Sequence, residues 1–263
     1  MCIVFWKQFD ETHPYRLILA FNRDEFFSRP TLGFHHWSTS PSIFAPQDLL
    51  PPTPQRGTYI GAQGNRLAFL TNFRETPSLN PSKISRGALV RDYLLSQESA
   101  QDYAQRVFGQ RQNYDGFNLV LFDLNVVVYV TNRGYEEGTV KVLSGGDVMG
   151  LSNATIDDMW PKVEHGKKAF AQAIESSEDE QSLIANLIQM MSDPGPFSNR
   201  EPQCLDDLKQ CIFVPSLDGI PGFLSGGQYG TRTTDILLLS THQLTAVTRD
   251  HTKGTTETSN LKI

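Results

Sequence analysis

Short apolar segments separated by polar turns run through most of the chain and predict β-strands. The first two segments span residues 2–9 and 15–22, and a polar connection joins them. The second is continuously apolar, which is typical of a strand covered on both faces. Further strands are predicted at 57–61, 66–72, 117–123, 126–132, 140–143, 211–214, 229–240 and 244–249. Most of these strands come in hairpin pairs, so the sheets are expected to be antiparallel.

Helical periodicity marks two blocks between the strands. Residues 85–110 carry apolar side chains at helical spacing, with Ser99 as an internal cap. The second block predicts a helix over 157–174 and another after 177–180, where the sequence resembles a capping box. Because the helices cluster instead of alternating with strands, the pattern predicts the α+β class and not a doubly wound βαβ repeat.

Two segments have no clear period. The proline-rich stretch from residue 41 to 54 is predicted to be a surface loop or a lid. The polar tail after Asp250 is predicted to fray. No apolar run reaches the roughly 18 residues that a transmembrane helix needs. We therefore expect one domain over 1–263 without a transmembrane segment.

Composition and charge narrow the expected partners and compartment. The 263 residues include 23 Lys and Arg against 29 Asp and Glu, which gives a formal net charge of −6. This acidic balance disfavours broad nucleic-acid binding, so no nucleic-acid partner is expected. Three cysteines are an odd and sparse set, which is typical of a reducing compartment such as the cytoplasm.

Cys2 is the first candidate for chemistry. Initiator methionine is commonly removed before a small residue such as cysteine. Cys2 would then carry both a thiol and a free α-amine, and the amine could act as the base for its own nucleophile. The alternative is that Cys2 is a small apolar side chain that opens a buried strand.

A run of four polar residues directly follows the apolar part of the second strand. If the chain stays extended there, Asn22 and Asp24 lie on one face, and Arg23 and Glu25 lie on the other. The run could serve a thiolate by supplying a cation, an amine acceptor and an oxyanion donor. The alternative is an ordinary charged strand end with a surface ion pair.

Polar residues also close three later strands, at Asn72, Asn153 and Arg232. Side-chain amides at strand ends can donate to a developing oxyanion, and an arginine can hold a carboxylate. Asparagine is also a common turn residue, so a purely local role is the alternative.

The adjacent histidines His35 and His36 could contact a metal or haem iron. Neighbouring residues of an extended chain point apart, however, and no Cys/His spacing around the two histidines forms a zinc site. No bound metal is therefore expected, and an exposed pair is the alternative.

Short motifs spread from residue 2 to residue 232 carry a resemblance to a known family. They are Cys2-Ile-Val-Phe5, Asn22-Arg23-Asp24-Glu25, Gly57-Thr58, Thr71-Asn72, Arg86-Gly87, Gly116-Phe117-Asn118, Leu151-Ser152-Asn153 and Tyr229-Gly230-Thr231-Arg232. The residues of these motifs and their order along the chain resemble those of the NRDE family. The resemblance implies links to Golgi organisation and secretion, to haem movement within cells, and to lipid and acyl-coenzyme A metabolism.

The layout is also similar to the cysteine N-terminal nucleophile hydrolases, the penicillin and bile-salt amidases. That resemblance implies a four-layer αββα sandwich of two antiparallel sheets between helices. By position, it assigns Cys2 as nucleophile, Arg23 and Asp24 to its amine and thiol, Asn72 and Asn153 as oxyanion and amine contacts, and Arg232 as a distal arginine. Those amidases space their arginine and aspartate three apart, whereas Arg23 and Asp24 are adjacent, so the roles within 22–25 stay open.

Two functions are consistent with these resemblances. The first is a carrier for a small apolar or amphipathic ligand, haem above all, with Asn22, Glu25, His35 and His36 as ligand contacts. No cofactor is required in that case, because haem is the carried ligand. The second is an N-terminal-cysteine hydrolase of acyl-amide or acyl-thioester bonds. A cytoplasmic protein with a Golgi- or mitochondria-associated pool is expected from the family.

Overall fold

Residues 2–75, 82–123, 126–219 and 227–263 are described by a computed structural model. Their strands, in chain order, are β1 Ile3–Gln8, β2 Leu17–Phe26, β3 Thr31–Trp37, β4 Ser40–Asp48, β5 Ile60–Gln63, β6 Arg66–Asn72, β7 Phe117–Asp123, β8 Val126–Thr131, β9 Thr139–Leu143, β10 Met149–Leu151, β11 Tyr229–Leu239, β12 Gln243–Asp250 and β13 Thr255–Lys262. The α-helices are α1 Gly87–Leu95, α2 Ala100–Gly109, α3 Pro161–Glu175 and α4 Glu180–Met191.

The chain divides into two compact units. Unit 1 comprises Met1–Ser28, Gly146–Ser152 and Ile156–Leu261, and unit 2 comprises Arg29–Gly145, Asn153–Thr155 and Lys262–Ile263. Each unit contains one antiparallel sheet and two α-helices within the described ranges. The single domain over 1–263 stays a prediction.

Unit 1 is built on a six-stranded sheet with the order β10-β1-β2-β11-β12-β13. Helices α3 and α4 pack on this sheet, α3 against β1 and β10, and α4 against β2 and β11. Gly166 of α3 makes the close approach possible, since a Cβ at this position would lie 2.1 Å from Cζ of Phe5. The apolar residues of β2 that the sequence shows as continuous are all buried.

Unit 2 is built on a seven-stranded sheet with the order β3-β4-β5-β6-β7-β8-β9. Alternate residues of its central strands form a core with α1 and α2, including Ala68, Leu70, Leu119, Leu121, Val128, Val130, Leu89, Tyr93 and Tyr103. The start of α1 lies against the segment before β5, because a Cβ at Gly57 would be 2.5 Å from the backbone carbon of Gly87. The Gly57-Thr58 and Arg86-Gly87 motifs are thus two sides of one close backbone contact.

The predicted α+β class with antiparallel sheets and segregated helices is confirmed. The block at 85–110 forms two helices, and the side chain of Ser99 caps the second by accepting from the N–H of Asp102. The capping box predicted at 177–180 begins two residues later in the structure. Asp179 is the N-cap of α4, and it exchanges hydrogen bonds with Ser182.

Three predictions of irregular or extended structure are wrong. Within the predicted loop 41–54, residues 41–48 belong to β4, where Ile43, Phe44 and Ala45 are buried, whereas 49–54 lie outside any helix or strand as predicted. The prolines are tolerated because the β3–β4 register is irregular, with shifts between Leu32 and His35 and between His36 and Trp37.

The other two concern the C-terminal third. The tail after Asp250 forms β13, which extends the sheet of unit 1 as its edge strand. Residues 211–214 were predicted to be a strand but lie outside any strand. Their buried side chains, Cys211, Ile212 and Val214, produce the apolar pattern, although the segment makes only an isolated backbone bond to β11, from the N–H of Thr231 to the carbonyl oxygen of Val214. Among the described residues, no helix combines the length and apolar character needed to cross a membrane.

Candidate functional site

Three neighbouring strands of unit 1 bring predicted site residues to one end of the sheet. The pairing of β1 with β2 joins Ile3 to Asn22, and that of β2 with β11 joins Asp24 to Thr231. Cys2 directly precedes β1 and therefore lies at this end, beside the polar run of β2. Antiparallel pairing produces this arrangement, because the start of one strand faces the end of the next.

The backbone of Cys2 is held by Ser152, the residue after β10. The Ser152 hydroxyl donates to the carbonyl oxygen of Cys2 at 2.7 Å. Burial raises the pKa of this thiol, although the Asp24 N–H and the Arg23 guanidinium act in the opposite direction. In the chain that retains Met1 the thiol is therefore neutral at pH 7.

The predicted alternation along residues 22–25 agrees with the contacts of the side chains. The Asn22 amide donates to the carbonyl oxygens of Met191 at 2.7 Å and Ile212 at 3.0 Å, and its oxygen accepts from the Thr234 hydroxyl at 2.6 Å. These bonds use both amide hydrogens, so Asn22 joins β2 to the end of α4 and to β11. Its predicted role as a ligand contact receives no support from this geometry.

The Asp24 carboxylate points to the same face as Asn22. It accepts from the Thr231 hydroxyl at 2.7 Å, and Thr231 accepts in turn from the N–H of Val214 at 2.8 Å. Burial raises the pKa of Asp24, while the nearby charge of Lys162 and the Thr231 hydroxyl oppose this effect. The carboxylate is therefore part of a buried network beneath the end of β2.

Arg23 and Glu25 lie on the opposite face of β2 from Asn22. The guanidinium of Arg23 lies 3.5 Å from the Glu25 carboxylate, and the Arg23 side chain is 7% exposed against 23% for Glu25. Arg23 is therefore a buried cation on the strand beside Cys2, and not the solvated strand-end charge of the alternative interpretation. Only Glu25 retains appreciable contact with solvent.

Arg232 occupies a β-bulge in β11. The β2–β11 register shifts between Thr231 and Thr233, which makes Arg232 the extra residue. Its carbonyl oxygen accepts from the N–H of His251 at 2.9 Å, and its side chain is buried. Bulges redirect a side chain relative to the regular strand. The direction of the Arg232 side chain in the motif at 229–232 therefore depends on this bulge.

The two remaining asparagines of the predicted site belong to unit 2 and contact each other. The Asn153 amide donates to the backbone oxygen of Asn72 at 2.6 Å, and the backbone oxygen of Asn153 accepts from the N–H of Arg74 at 2.7 Å. Asn72 is exposed and Asn153 is buried. The resemblance to the amidases implies that this pair joins Cys2, Arg23, Asp24 and Arg232 in one site, and this stays a prediction.

His35 and His36 lie on β3 of unit 2. Nδ1 of His35 is 2.8 Å from the carbonyl oxygen of Gly33, and Nδ1 of His36 is 2.8 Å from that of Pro41. Because a carbonyl oxygen can only accept, each Nδ1 carries the hydrogen in the neutral ring. The Nε2 lone pair of each histidine is then the one that can bind a metal ion.

Sequence reasoning did not find three residues of the unit 1 site. Ser152 and Thr231 were noted only as neighbours of Asn153 and Arg232, although their hydroxyls hold Cys2 and Asp24. Lys162 gave no signal at all, because a lysine in the first turn of a helix is ordinarily exposed. Its burial, with 1% exposure, becomes evident only from the structure.

Comparisons with known proteins support the family resemblance that the motifs indicate. The model of the family described as "Transport and Golgi organisation 2" matches residues 1–252. The chain belongs to this transport and Golgi organisation 2 family. The "Transport and Golgi organization protein 2 homolog" of Bos taurus is 33% identical over 259 residues, which cover 91% of this chain and 88% of the relative. The homolog of Homo sapiens is 34% identical over 256 residues, with the same coverage.

More distant comparisons include an insect member of the transport and Golgi organisation 2 family and a solved structure of low sequence identity. The Drosophila melanogaster protein is 28% identical over 257 residues, covering 91% of this chain and 88% of that protein. The Caenorhabditis elegans N-acylethanolamine-hydrolyzing acid amidase ortholog has a TM-score of 0.44 and 12% identity, and the match covers 70% of this chain and 85% of that chain. The predicted family membership is confirmed.

Proposed function

We propose that the chain hydrolyses acyl-amide or acyl-thioester bonds with Cys2 as its nucleophile, after removal of Met1. The observation that carries this proposal is the placement of Cys2: its carbonyl oxygen accepts from the Ser152 hydroxyl, and its buried thiol lies where the Asp24 backbone and the Arg23 guanidinium act to lower its pKa. A small side chain that only opens a strand needs neither feature. A nucleophile benefits from both, because its residue must be held in one position relative to the substrate and its thiolate must be energetically accessible.

Removal of Met1 supplies the base that the thiol lacks. The new α-amine of Cys2 has an ordinary pKa of about 7.7–8.0, so part of it is unprotonated at neutral pH and can take the thiol proton. The thiolate then attacks the acyl carbonyl and forms a thioester with Cys2, and the departing amine or thiol takes that proton. Water cleaves the thioester, which releases the carboxylic acid and restores the thiol.

Two buried guanidinium groups of unit 1 complement this chemistry. Arg23 and Arg232 both lie on strands that end beside Cys2. The charge of Arg23 acts to lower the pKa of the Cys2 thiol and so favours the thiolate, and either guanidinium can hold an anionic group of the substrate. Asn72 and Asn153 remain the proposed oxyanion and amine contacts, on the basis of the resemblance to the amidases.

The first prediction compares two forms of the chain that differ only at the N-terminus. A form that begins at Cys2, released from a fusion by a site-specific protease, should hydrolyse members of an acyl-amide and acyl-thioester panel. The form that retains Met1 should not, because its Cys2 nitrogen is a peptide nitrogen and cannot act as a base. In the form that begins at Cys2, iodoacetamide should also modify the Cys2 thiol well below pH 8.5. Mass spectrometry of the modified peptide identifies the residue that has reacted.

Intact mass of the protein from its natural host provides the control. A mature chain whose mass includes Met1, or two forms that are equally inert on the whole panel, would contradict the hydrolase proposal.

A carrier of haem is the second candidate, and one observation favours it. The Nδ1 contacts of His35 and His36 leave Nε2 of each ring as the free ligand atom, and a backbone carbonyl on the other nitrogen is a common arrangement for metal-binding histidines. The two rings belong to consecutive residues of β3, so one haem would take only one of them as an axial ligand.

The second prediction tests this carrier function. Titration of haem into the purified protein should give a Soret shift that saturates near one equivalent, because one exchangeable axial ligand is used. Replacing His35 and His36 by glutamine should reduce the shift, and His242→Gln, which changes an exposed histidine of unit 1, should not. A spectrum that stays that of free haem, or that changes equally in every variant, would exclude the haem carrier.

A further inference from the structure

His251 contacts β11 at the bulge and just after it. It is the first residue after β12, one step beyond the pairing of Thr233 with Asp250. Its backbone N–H donates to the carbonyl oxygen of Arg232 at 2.9 Å. Its ring nitrogen Nε2 lies 2.8 Å from the hydroxyl oxygen of Thr234, two residues further along β11. One residue thus holds both the bulged residue and the regular strand that follows it.

The hydrogen of this side-chain contact comes from the ring of His251. Both amide hydrogens of Asn22 are used by backbone carbonyl oxygens, so its oxygen is the atom that faces the Thr234 hydroxyl, at 2.6 Å. Two oxygen atoms at this distance need a hydrogen between them, and only the hydroxyl can supply it. The hydroxyl has no second hydrogen, so it accepts from Nε2 of His251. The neutral ring therefore carries its hydrogen on Nε2 and its lone pair on Nδ1.

The surroundings of the ring support this single arrangement. Asn22 and Thr234 are completely buried, and His251 is half-buried. The ring of Phe213 packs against that of His251, with centroids 4.9 Å apart and an angle of 70° between the planes. Burial and the positive charge of Arg249 lower the pKa of His251, although Asp250 acts in the opposite direction. The ring is therefore neutral at pH 7.5.

We propose that His251 is a positioning residue for Arg232, and that it acts through the hydrogen bond from its Nε2–H to Thr234. A bulge redirects the side chain of the bulged residue, so whatever holds the bulge determines where the guanidinium lies. The series of bonds from His251 through Thr234 ends on Asn22, the residue of β2 that pairs with Ile3 beside Cys2. It thereby connects the bulge of β11 to the strand end of the Cys2 site.

The hydrogen bond does not depend on the hydrolase chemistry, whereas its effect on a substrate rests on the proposed function. The third prediction therefore begins with the ring and uses no substrate. In the full chain with all six histidine rings labelled with ¹⁵N, the NMR signals of His251 at pH 7.5 should be those of a neutral ring with its hydrogen on Nε2. His251→Gln identifies these signals by their loss. A hydrogen on Nδ1, or the averaged signals of two exchanging tautomers, would overturn the proposal.

Two variants of His251 separate its N–H from the rest of the ring. Glutamine places an amide N–H near the position of Nε2, whereas the shorter asparagine reaches only as far as Nδ1. In His251→Asn, solvent exchange of the residue 251 N–H, relative to its intrinsic rate, should be up to about tenfold faster than in His251→Gln, the equivalent of one hydrogen bond. His242→Asn, which changes an exposed histidine of the same unit, should leave this exchange as in wild type. Equal exchange in His251→Asn and His251→Gln would contradict a role for the Nε2–H.

The same variants test the effect on a substrate in the chain that begins at Cys2. With an N-acylglycine, whose carboxylate Arg232 can hold, His251→Asn should raise KM by about tenfold and leave kcat nearly unchanged. His251→Gln should stay near wild type. With the uncharged N-acylglycinamide, KM should be the same in all three forms. A rise that is equal for both substrates, or equal in both variants, would indicate a general loss of packing and overturn the role at Arg232.

Thr234→Val removes the same bond from its other side if His251→Asn does not fold. It should give the same changes in exchange and KM, and Thr234→Ser, which keeps the hydroxyl, should resemble wild type. If His251→Asn and Thr234→Val both fail to fold while Thr234→Ser folds, the bond is a requirement of the whole fold and its specific role at Arg232 is wrong. A chain inactive on every substrate, with the predicted tautomer and exchange, would reject the hydrolase and leave the contact of His251 with the bulge intact.

Discussion

Replacing Cys2 by alanine in the chain that begins at residue 2 should lower acyl-amide and acyl-thioester turnover by on the order of 10³-fold or more. The substitution removes the atom that forms the covalent bond and keeps the α-amine that acts as base. The loss should be seen in kcat, because the nucleophile acts in the chemical step and not in binding. Initial rates over a range of substrate concentrations measure this directly.

The appropriate control is Cys204→Ala, which removes an exposed thiol of the same unit. Its turnover should equal that of the wild type. Cys2→Ser adds a second comparison, because a hydroxyl preserves the size of the side chain but is a much weaker nucleophile at neutral pH. If Cys2→Ala keeps more than a tenth of the wild-type rate, Cys2 is not the nucleophile.

Gly166→Ala should lower the free energy of unfolding by about 2 kcal/mol, a value within the range for overpacked cores. A Cβ at this position would lie 2.1 Å from Cζ of Phe5, whose side chain is completely buried. Phe5 also packs on Phe170 of the same helix, with ring centroids 6.1 Å apart, so α3 and the ring must both shift. The gain in helix propensity from glycine to alanine, about 1 kcal/mol, offsets only part of this loss. Urea denaturation at constant pH gives the value.

Gly109→Ala is the matched control, because Gly109 also lies in a helix and no atom would be within 4 Å of an added Cβ. This change should be neutral or stabilising. Adding Phe5→Leu to Gly166→Ala should recover part of the lost stability, since the smaller side chain leaves room for the methyl group. Equal unfolding midpoints for Gly166→Ala and wild type would mean that α3 does not approach β1 so closely.

The hairpin strands could be predicted from the sequence because the residue pattern that indicates a strand lies within the strand itself. The apolar run of β2 and the alternation of Asn22, Arg23, Asp24 and Glu25 both follow from the two-residue period of an extended chain. The structure shows that Asn22 bonds to the helical layer and that Arg23 forms an ion pair with Glu25 on the other face. The family could likewise be predicted, because its motifs follow one another in a fixed order along the chain.

Predictions failed where a neighbouring strand, and not the segment itself, determines the structure. Strand β4 contains Pro41 and Pro46, which remove backbone donors and suggest a loop. The irregular register with β3 accommodates both prolines. The polar strand β13 has almost no apolar face to predict it, but backbone pairing at the edge of the sheet needs no side-chain pattern.

The sequence by itself determined the antiparallel α+β class, the family, and the residue types available for chemistry, because periodicity and motif order are properties of the chain. Only the tertiary structure decided what surrounds each group. Burial of Lys162 and the β-bulge at Arg232 depend on how strands and helices far apart in sequence pack together. The contact of Ser152 with Cys2 joins residues 150 positions apart. Desolvation and charge proximity depend on distances in space, and no local pattern of residues contains those distances.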